Sequence, residues 1–142
     1  MKAKLFLLIA CVAMLLAACA LFTSCEQEGN ATLVGEWHAT IFCTMENGVE
    51  IEREPMGFDS AYGDYVFNFK KDMCTWAVYE FEGADAYIWY EGKYMYYDNT
   101  IFLTDMYEGM APVELNVVAI SKTSMILDFP EDWEMRLILE RR

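Results

Sequence analysis

The sequence predicts an all-β fold, an antiparallel up-and-down β-barrel of about eight to nine strands. Beyond residue 31, apolar and polar residues alternate with the period of two that is typical of a strand with one dry face. Turn signals such as Asn47-Gly48 and Asp98-Asn99 recur at spacings of roughly 8 to 12 residues, and no segment keeps a helical period. Short turns between successive strands favour a barrel, because closure removes exposed strand edges.

The N-terminal segment has the pattern of an export signal. Residues 1–4 contain two lysines, and residues 5–22 contain no charged side chain. A run of this length could also be a transmembrane helix. It ends, however, directly at Thr23-Ser24-Cys25 without a basic flank, so we expect a signal peptide over residues 1–24 that is cleaved.

Residues 23–25, Thr-Ser-Cys, resemble the lipobox of bacterial lipoproteins. The resemblance implies that Cys25 is acylated, becomes the mature N-terminus and attaches the protein to a membrane. Cys19 also follows small residues, but cleavage there would leave the apolar residues 20–22 on the mature chain. Cys25 is therefore the expected lipidation site, with Cys19 and an ordinary secretory signal without lipid as alternatives.

The residues after Cys25 bear on location. Glu26-Gln27-Glu28 is similar to the short acidic signal that some Gram-negative bacteria place after a lipidated cysteine. This implies an outer-membrane lipoprotein of the cell envelope, facing the periplasm or the cell surface. We expect residues 25–31 to form the lipidated cysteine and its tether, and residues 32–142 to form the barrel domain.

The charge balance limits the possible partners. Cleavage would remove two of the ten basic residues and none of the 23 acidic ones, leaving 8 against 23 and a net charge of −15. Nucleic-acid binding is excluded on this basis, because phosphate neutralisation requires clustered Lys and Arg.

Cys43 and Cys74 would remain as cysteines of the domain. They could pair in an oxidising compartment, but their apolar settings favour buried free thiols.

The first hairpin illustrates how faces are assigned. A strand from residue 33 places Trp37, Ala39, Ile41 and Cys43 on its dry face. The other face, predicted to be wet, carries His38, Thr40, Phe42 and Thr44. After the Asn47-Gly48 turn, the returning strand places Val49, Ile51 and Arg53 on a dry face and Glu50, Glu52 and Glu54 on a wet face.

The rest of the chain continues this pattern. Residues 55–63 read as a longer loop, and Gly92 is expected to mark a β-bulge. The remaining strands are predicted over residues 65–69, 73–81, 87–97, 100–104, 113–120, 125–129 and 133–141.

Short motifs resemble a known family. Gly35-Glu36-Trp37 resembles the Gly-x-Trp signature of lipocalins, and the order continues with Tyr-x-Phe-x-Phe-Lys-Lys-Asp, a tyrosine-rich hairpin and a last strand ending in Glu-Arg-Arg. This order is similar to that of lipocalin-like domains in Gram-negative lipoproteins, over most of residues 32–142. Met73 departs from it, since glycine usually follows Lys-Asp. The resemblance implies that Trp37 plugs the closed end of the barrel and that Arg141 packs across its ring.

The resemblance also implies a pocket for a small apolar or amphipathic ligand. Large rings on inward faces are the candidate lining, because they supply contact area. These residues are Phe67, Phe69, Trp76, Trp89, Tyr94 and Tyr96. The alternative is that the rings simply fill the barrel, as side chains do in small barrels.

Two further functions stay open, and one class is not expected. Apolar residues on the wet face or in loops could contact a protein partner; they are Phe42, Tyr62, Met106, Tyr107, Met110 and Ala111. Exposed rings could instead stack on carbohydrate. We expect no enzyme, metal or cofactor, because the single histidine, His38, is predicted on the solvent face without a nucleophile or co-ligands.

Overall fold

The structure, a computed structural model, describes residues 33–142. The predicted signal peptide, Cys19, Cys25 and the tether lie outside the described residues. Within the described range, no helix is long and apolar enough to cross a membrane.

Within residues 33–142, nine strands make up almost all of the regular structure, as the alternation predicts. A 3₁₀ turn at Glu131–Trp133 precedes the last strand. The strands are β1 Gly35–Glu46, β2 Val49–Pro55, β3 Asp64–Phe69, β4 Met73–Tyr79, β5 Tyr87–Tyr97, β6 Thr100–Leu103, β7 Val113–Ile120, β8 Ser124–Asp128 and β9 Met135–Arg141.

Eight of these strands close into a barrel. Every sequential pair from β3 to β9 is antiparallel, and β9 returns to pair with β1, which also pairs with β3. β2 is the additional strand. It lies opposite residues 41–46 of β1, whereas β3 lies opposite residues 35–38 on the same edge. β2 and β3 therefore form one interrupted strand along β1, and the predicted all-β, lipocalin-like up-and-down barrel is confirmed.

The barrel has a closed end and a mouth. Antiparallel strands place alternate connections at the same end, so the start of β1, the end of β9 and the turns at 70–72, 98–99 and 121–123 share one end, the closed end. The mouth carries the connections at 47–48, 80–86, 104–112 and 129–134, and the loop 56–63 lies on its side of the wall.

The interior is filled by large apolar side chains from the strands of the barrel. Alternate residues of each strand face it, as the period of two requires. Its fully buried members include Trp37, Phe67, Phe69, Ile101, Leu103, Leu115, Met125, Leu127, Leu137 and Leu139.

Bulges in β1 and β5 shift the predicted alternation. Ala39 pairs with Leu139 and Ile41 with Ile138, so Thr40 is an extra residue in β1. The alternation shifts there, and Phe42 packs against the core instead of facing solvent as predicted. The bulge predicted at Gly92 is also misplaced. Gly92 pairs regularly with Cys74, and the register shift in β5 leaves Trp89 as the extra residue.

The faces of β2 differ from the prediction. Val49 and Ile51, expected on a dry face, are exposed, while Glu50 is half-buried beside Arg53 and Arg136. A register shift against β1 leaves Ile51 as an extra residue of β2, so the alternation changes there. β2 also has only β1 as a strand neighbour within the described residues.

Cys43 and Cys74, the two cysteines in the described part of the chain, are buried free thiols and do not form a disulfide. Cys74 belongs to the barrel core, and burial raises its thiol pKa far above the usual value. Cys43 lies outside that core beside Glu50, Arg53 and Arg136, and burial is the main reason that its pKa is raised. Neither thiol is therefore an activated nucleophile.

Candidate functional site

The closed end is organised around Trp37. Its indole Nε1 donates to the carbonyl oxygen of Leu33 at 2.9 Å, and the residue is fully buried. Arg141 lies directly opposite Trp37 across the β1–β9 pair, with its guanidinium carbon 4.3 Å from the ring centroid. The Arg141 Nη1 also donates to the carbonyl oxygen of Val34 at 2.6 Å. This geometry is a cation-π contact tied to the start of β1.

The six aromatic residues proposed as pocket lining occupy different depths. Five of them form a continuous series of ring contacts, Tyr94–Phe69–Phe67–Trp76–Trp89, with centroid separations of 5.3, 6.2, 4.9 and 5.7 Å. The first four residues of this series are buried in the core, and Tyr96 packs against the core separately. Trp89 is 50% exposed, at the mouth end of the series.

A groove of about 470 Å³ lies at the mouth, and Trp89 is the member of the predicted set that lines it. The other walls come from loop 56–63, the start of β3, the end of β4 and the start of β5. The lining residues are Ala61, Tyr62, Gly63, Tyr65, Val78, Glu80, Tyr87 and Trp89. We call this the mouth groove. Its volume is within the range of about 300–1,000 Å³ that is usual for small-molecule sites.

Two rings of the mouth groove contact each other. Tyr87 and Trp89 have centroids 5.7 Å apart and planes at 78°, an edge-to-face arrangement. Trp89 in turn stacks on Trp76 at 5.7 Å and 20°. Because Trp76 is held in the core, the exposed ring of Trp89 has a rigid support.

Tyr62 also lines the groove and is held in place by two contacts. Its ring stacks on Phe42 with centroids 4.7 Å apart, and its hydroxyl donates to the Glu54 carboxylate. That hydrogen bond is the main cause that raises the pKa of Tyr62, whereas burial raises the pKa of Tyr65. Both residues consequently present neutral hydroxyls at neutral pH.

Trp76, the ring on which Trp89 stacks, carries a buried polar atom. The indole Nε1 of Trp76 is buried and has no hydrogen-bond acceptor among the described residues. An unsatisfied buried donor of this kind costs about 1–3 kcal/mol.

The other lining residues were not identified from the sequence as part of one site. Tyr65 shares its inward face with Phe67 and Phe69, and Tyr87 lies two residues before Trp89, so alternation extended to the strand ends could have included both. Glu80 and Tyr62 lie in connections whose path the alternation does not specify.

Two other grooves lie at the mouth and are more polar. One, of about 330 Å³, lies between the β1–β2 and β8–β9 connections and is lined by Asp128, Glu131 and Glu134 among others. The other, of about 420 Å³, includes Tyr107 and Trp133 together with Glu114, Glu131 and Asp132. Neither contains a comparable set of four aromatic rings.

The environment of His38 differs from the prediction of a solvent-facing side chain. His38 is buried, with Nδ1 at 3.0 Å from an Asp64 oxygen and Nε2 at 2.7 Å from Glu36 Oε1. Asp64 begins β3, and the loop before it hid this pairing in the sequence. Both ring nitrogens are thus occupied by carboxylates. No group of His, Cys, Asp and Glu side chains in residues 33–142 is arranged to hold a metal ion.

Comparisons with known proteins support the fold. No family model matches the sequence, and no curated protein matches it. Two solved structures do. A lipocalin-like protein from Bacteroides uniformis has a TM-score of 0.52 at 15% identity, covering 78% of this chain and 99% of its own. An uncharacterized protein from Bacteroides eggerthii has a TM-score of 0.55 at 9% identity, covering 77% and 98%. The chain therefore has a lipocalin-like β-barrel fold.

Proposed function

We propose that this chain is a lipid-anchored envelope lipoprotein whose barrel binds a small apolar or amphipathic ligand in the mouth groove. The observation that carries the proposal is the groove of about 470 Å³ lined by Tyr62, Tyr65, Tyr87 and Trp89. Aromatic side chains supply large apolar contact area, and those of Tyr and Trp also offer a polar tip for orientation.

The mouth groove is a better site than the barrel interior. Phe67 and Phe69 are almost completely buried and pack against each other and against Trp76 and Tyr94. A ligand in the interior would have to displace these rings, and close-packed cores resist such a change. A ligand in the mouth groove needs only to cover rings that are already exposed. In this proposal the buried rings support the site rather than line it.

The proposed function is not enzymatic. The support for this is that His38 is engaged by Asp64 and Glu36 through both nitrogens, and that burial raises the pKa of both domain thiols. A nucleophile and its base must be in hydrogen-bond reach of each other, and the groove lining contains no Ser, Cys, Lys or His.

The binding site is tested with N-phenyl-1-naphthylamine, an uncharged apolar dye whose fluorescence rises on leaving water. We expect the purified domain to bind it, and we expect Trp89→Ser to weaken binding about tenfold, since it removes a stacking wall. The matched control is Ile88→Ser, because Ile88 is adjacent and exposed but does not line the groove. Equal affinities of the two variants would rule out the groove.

The anchor is tested separately in a Gram-negative host. Acyl chains contribute about 0.8 kcal/mol per buried CH₂ group, so several chains on one cysteine hold a protein in the membrane. We expect Cys25→Ala to abolish labelling by a radioactive fatty acid and Cys19→Ala to leave it intact. Labelling that persists in Cys25→Ala and is lost in Cys19→Ala would move the anchor to Cys19.

A second candidate function is contact with carbohydrate. It is favoured by the exposure of Tyr87 and Trp89, which are 65% and 50% exposed and could stack on a sugar ring. Competition distinguishes the two functions. Displacement of the dye from the wild type by a soluble oligosaccharide would favour carbohydrate binding. If the groove instead binds apolar ligands, the oligosaccharide should not displace the dye.

A further inference from the structure

The connections around the mouth are charged with one sign only. The five connections at 47–48, 56–63, 80–86, 104–112 and 129–134 contain nine Asp and Glu residues and no Lys, Arg or His. The turns at the closed end, 70–72, 98–99 and 121–123, contain three Lys and two Asp. A molecule approaching the mouth therefore meets a negative potential, which concentrates cations and repels anions.

The mouth groove adds a local feature of the same sign. Glu80 lines it beside four aromatic rings, and in the described part of the chain its carboxylate forms no ion pair. The rings of Tyr87 and Trp89, whose planes are inclined at 78°, both line this groove. Aromatic faces attract cations through the ring quadrupole, and cages of such rings recognise quaternary ammonium groups.

We infer that the mouth groove selects ligands with a cationic ammonium headgroup, held between the aromatic faces and the Glu80 carboxylate. This inference rests on the proposed function, since it specifies the chemistry of the ligand for the same site. A fatty acid or another anionic amphiphile would be disfavoured, because the mouth connections supply no Lys or Arg to pair with its charge.

The test compares ligands that share one chain and differ in the headgroup. Octyltrimethylammonium, octanoate and 1-octanol are titrated against the purified domain, below the concentrations at which micelles form, by calorimetry. We expect octyltrimethylammonium to bind about tenfold more tightly than 1-octanol and octanoate to bind more weakly than both. Higher salt should weaken binding of the cation and leave that of 1-octanol nearly unchanged.

Two substitutions test whether the Glu80 carboxylate causes the preference for the cationic headgroup. Glu80→Gln should weaken binding of octyltrimethylammonium about fivefold and leave that of 1-octanol unchanged. The control is Glu82→Gln, because Glu82 is an exposed residue of the same connection that does not line the groove, so its effect should stay below about twofold. A thermal melt by circular dichroism checks that both variants are folded.

The outcomes separate this inference from the proposed function. If 1-octanol and octanoate bind as tightly as the cation, the cation preference is wrong while the groove still binds an apolar ligand. If none of the three binds, both the preference and the groove are wrong. Tetramethylammonium, which has no chain, distinguishes the sources of the headgroup: comparable affinity supports capture of a free ammonium compound, and much weaker affinity supports capture of an amphiphile.

Discussion

Trp37 is the residue on which the closed end depends. Its indole N–H donates a hydrogen bond to the carbonyl oxygen of Leu33, Arg141 covers the face of its ring, and the ring is completely buried. Removal of the ring would leave a cavity under Arg141 and release the start of β1. We therefore assign Trp37 and Arg141 to closure of the barrel rather than to ligand binding.

We expect Trp37→Ala to lower the free energy of unfolding by about 3–5 kcal/mol, the usual cost of deleting a large buried aromatic side chain. Urea denaturation of the purified domain measures it. Trp89→Ala is the matched control, since it removes the same side chain from a half-exposed position and should cost about 1 kcal/mol. A cost for Trp37→Ala no larger than that of the control would contradict the closure role.

The sequence predicts the contact between Trp37 and Arg141 but not the contact between His38 and Asp64. Trp37 and Arg141 could be paired through the resemblance to lipocalins, and both lie where strand alternation expects them. His38 could not be paired with Asp64, because the two are 26 residues apart and a loop of unknown path separates them. Only the fold brings the ring and the carboxylate together.

Loop 56–63 supplies three of the residues that line the mouth groove, Ala61, Tyr62 and Gly63. The ends of the loop are joined by a backbone hydrogen bond of 2.9 Å, in which Gly57 N–H donates to the carbonyl oxygen of Gly63. Within the loop, the Ser60 hydroxyl donates to the carbonyl oxygen of Gly57 at 2.9 Å. Gly63 has a φ of +71°, and a Cβ there would lie 2.4 Å from the Tyr79 carbonyl oxygen. The loop therefore packs on β4 more closely than any side chain would allow.

We expect Gly63→Ala to destabilise the domain by about 1–3 kcal/mol more than Gly109→Ala and to weaken dye binding, since the loop that carries Tyr62 must move. Gly109 is the matched control because its φ is +72° and nothing lies within 4 Å of an added Cβ. Urea denaturation and the dye titration measure the two effects. If the two variants lose equal stability, loop 56–63 does not depend on this close approach.

Strand bulges explain why the elements were predicted more accurately than their faces. The bounds of most strands are within two residues of the prediction, because turn residues mark them in the sequence. The extra residues Thr40 and Trp89 reverse the alternation within β1 and β5. A bulge is defined by the register of the partner strand, and alternation within one strand does not specify that register.

In the barrel as a whole, the packed parts that stabilise the fold lie apart from the grooves that could bind a ligand. The interior and the closed end are packed, and the three described grooves lie at the mouth. Alternation shows which side chains point inward, but it does not show how much volume they leave. Alternation can assign Trp89 and, at the strand ends, Tyr65 and Tyr87 to inward faces, but Tyr62 and Glu80 lie in connections and required the fold.

Ligand binding at the mouth groove can be followed through the four indole N–H signals in a ¹⁵N NMR spectrum. Trp89 lines the groove, Trp76 stacks on Trp89, Trp133 lines a different groove, and Trp37 reports on the closed end. On titration with N-phenyl-1-naphthylamine, we predict that the signals of Trp89 and Trp76 shift and that those of Trp37 and Trp133 do not. Shifts confined to Trp37 or Trp133 would show that the ligand does not bind at the mouth groove.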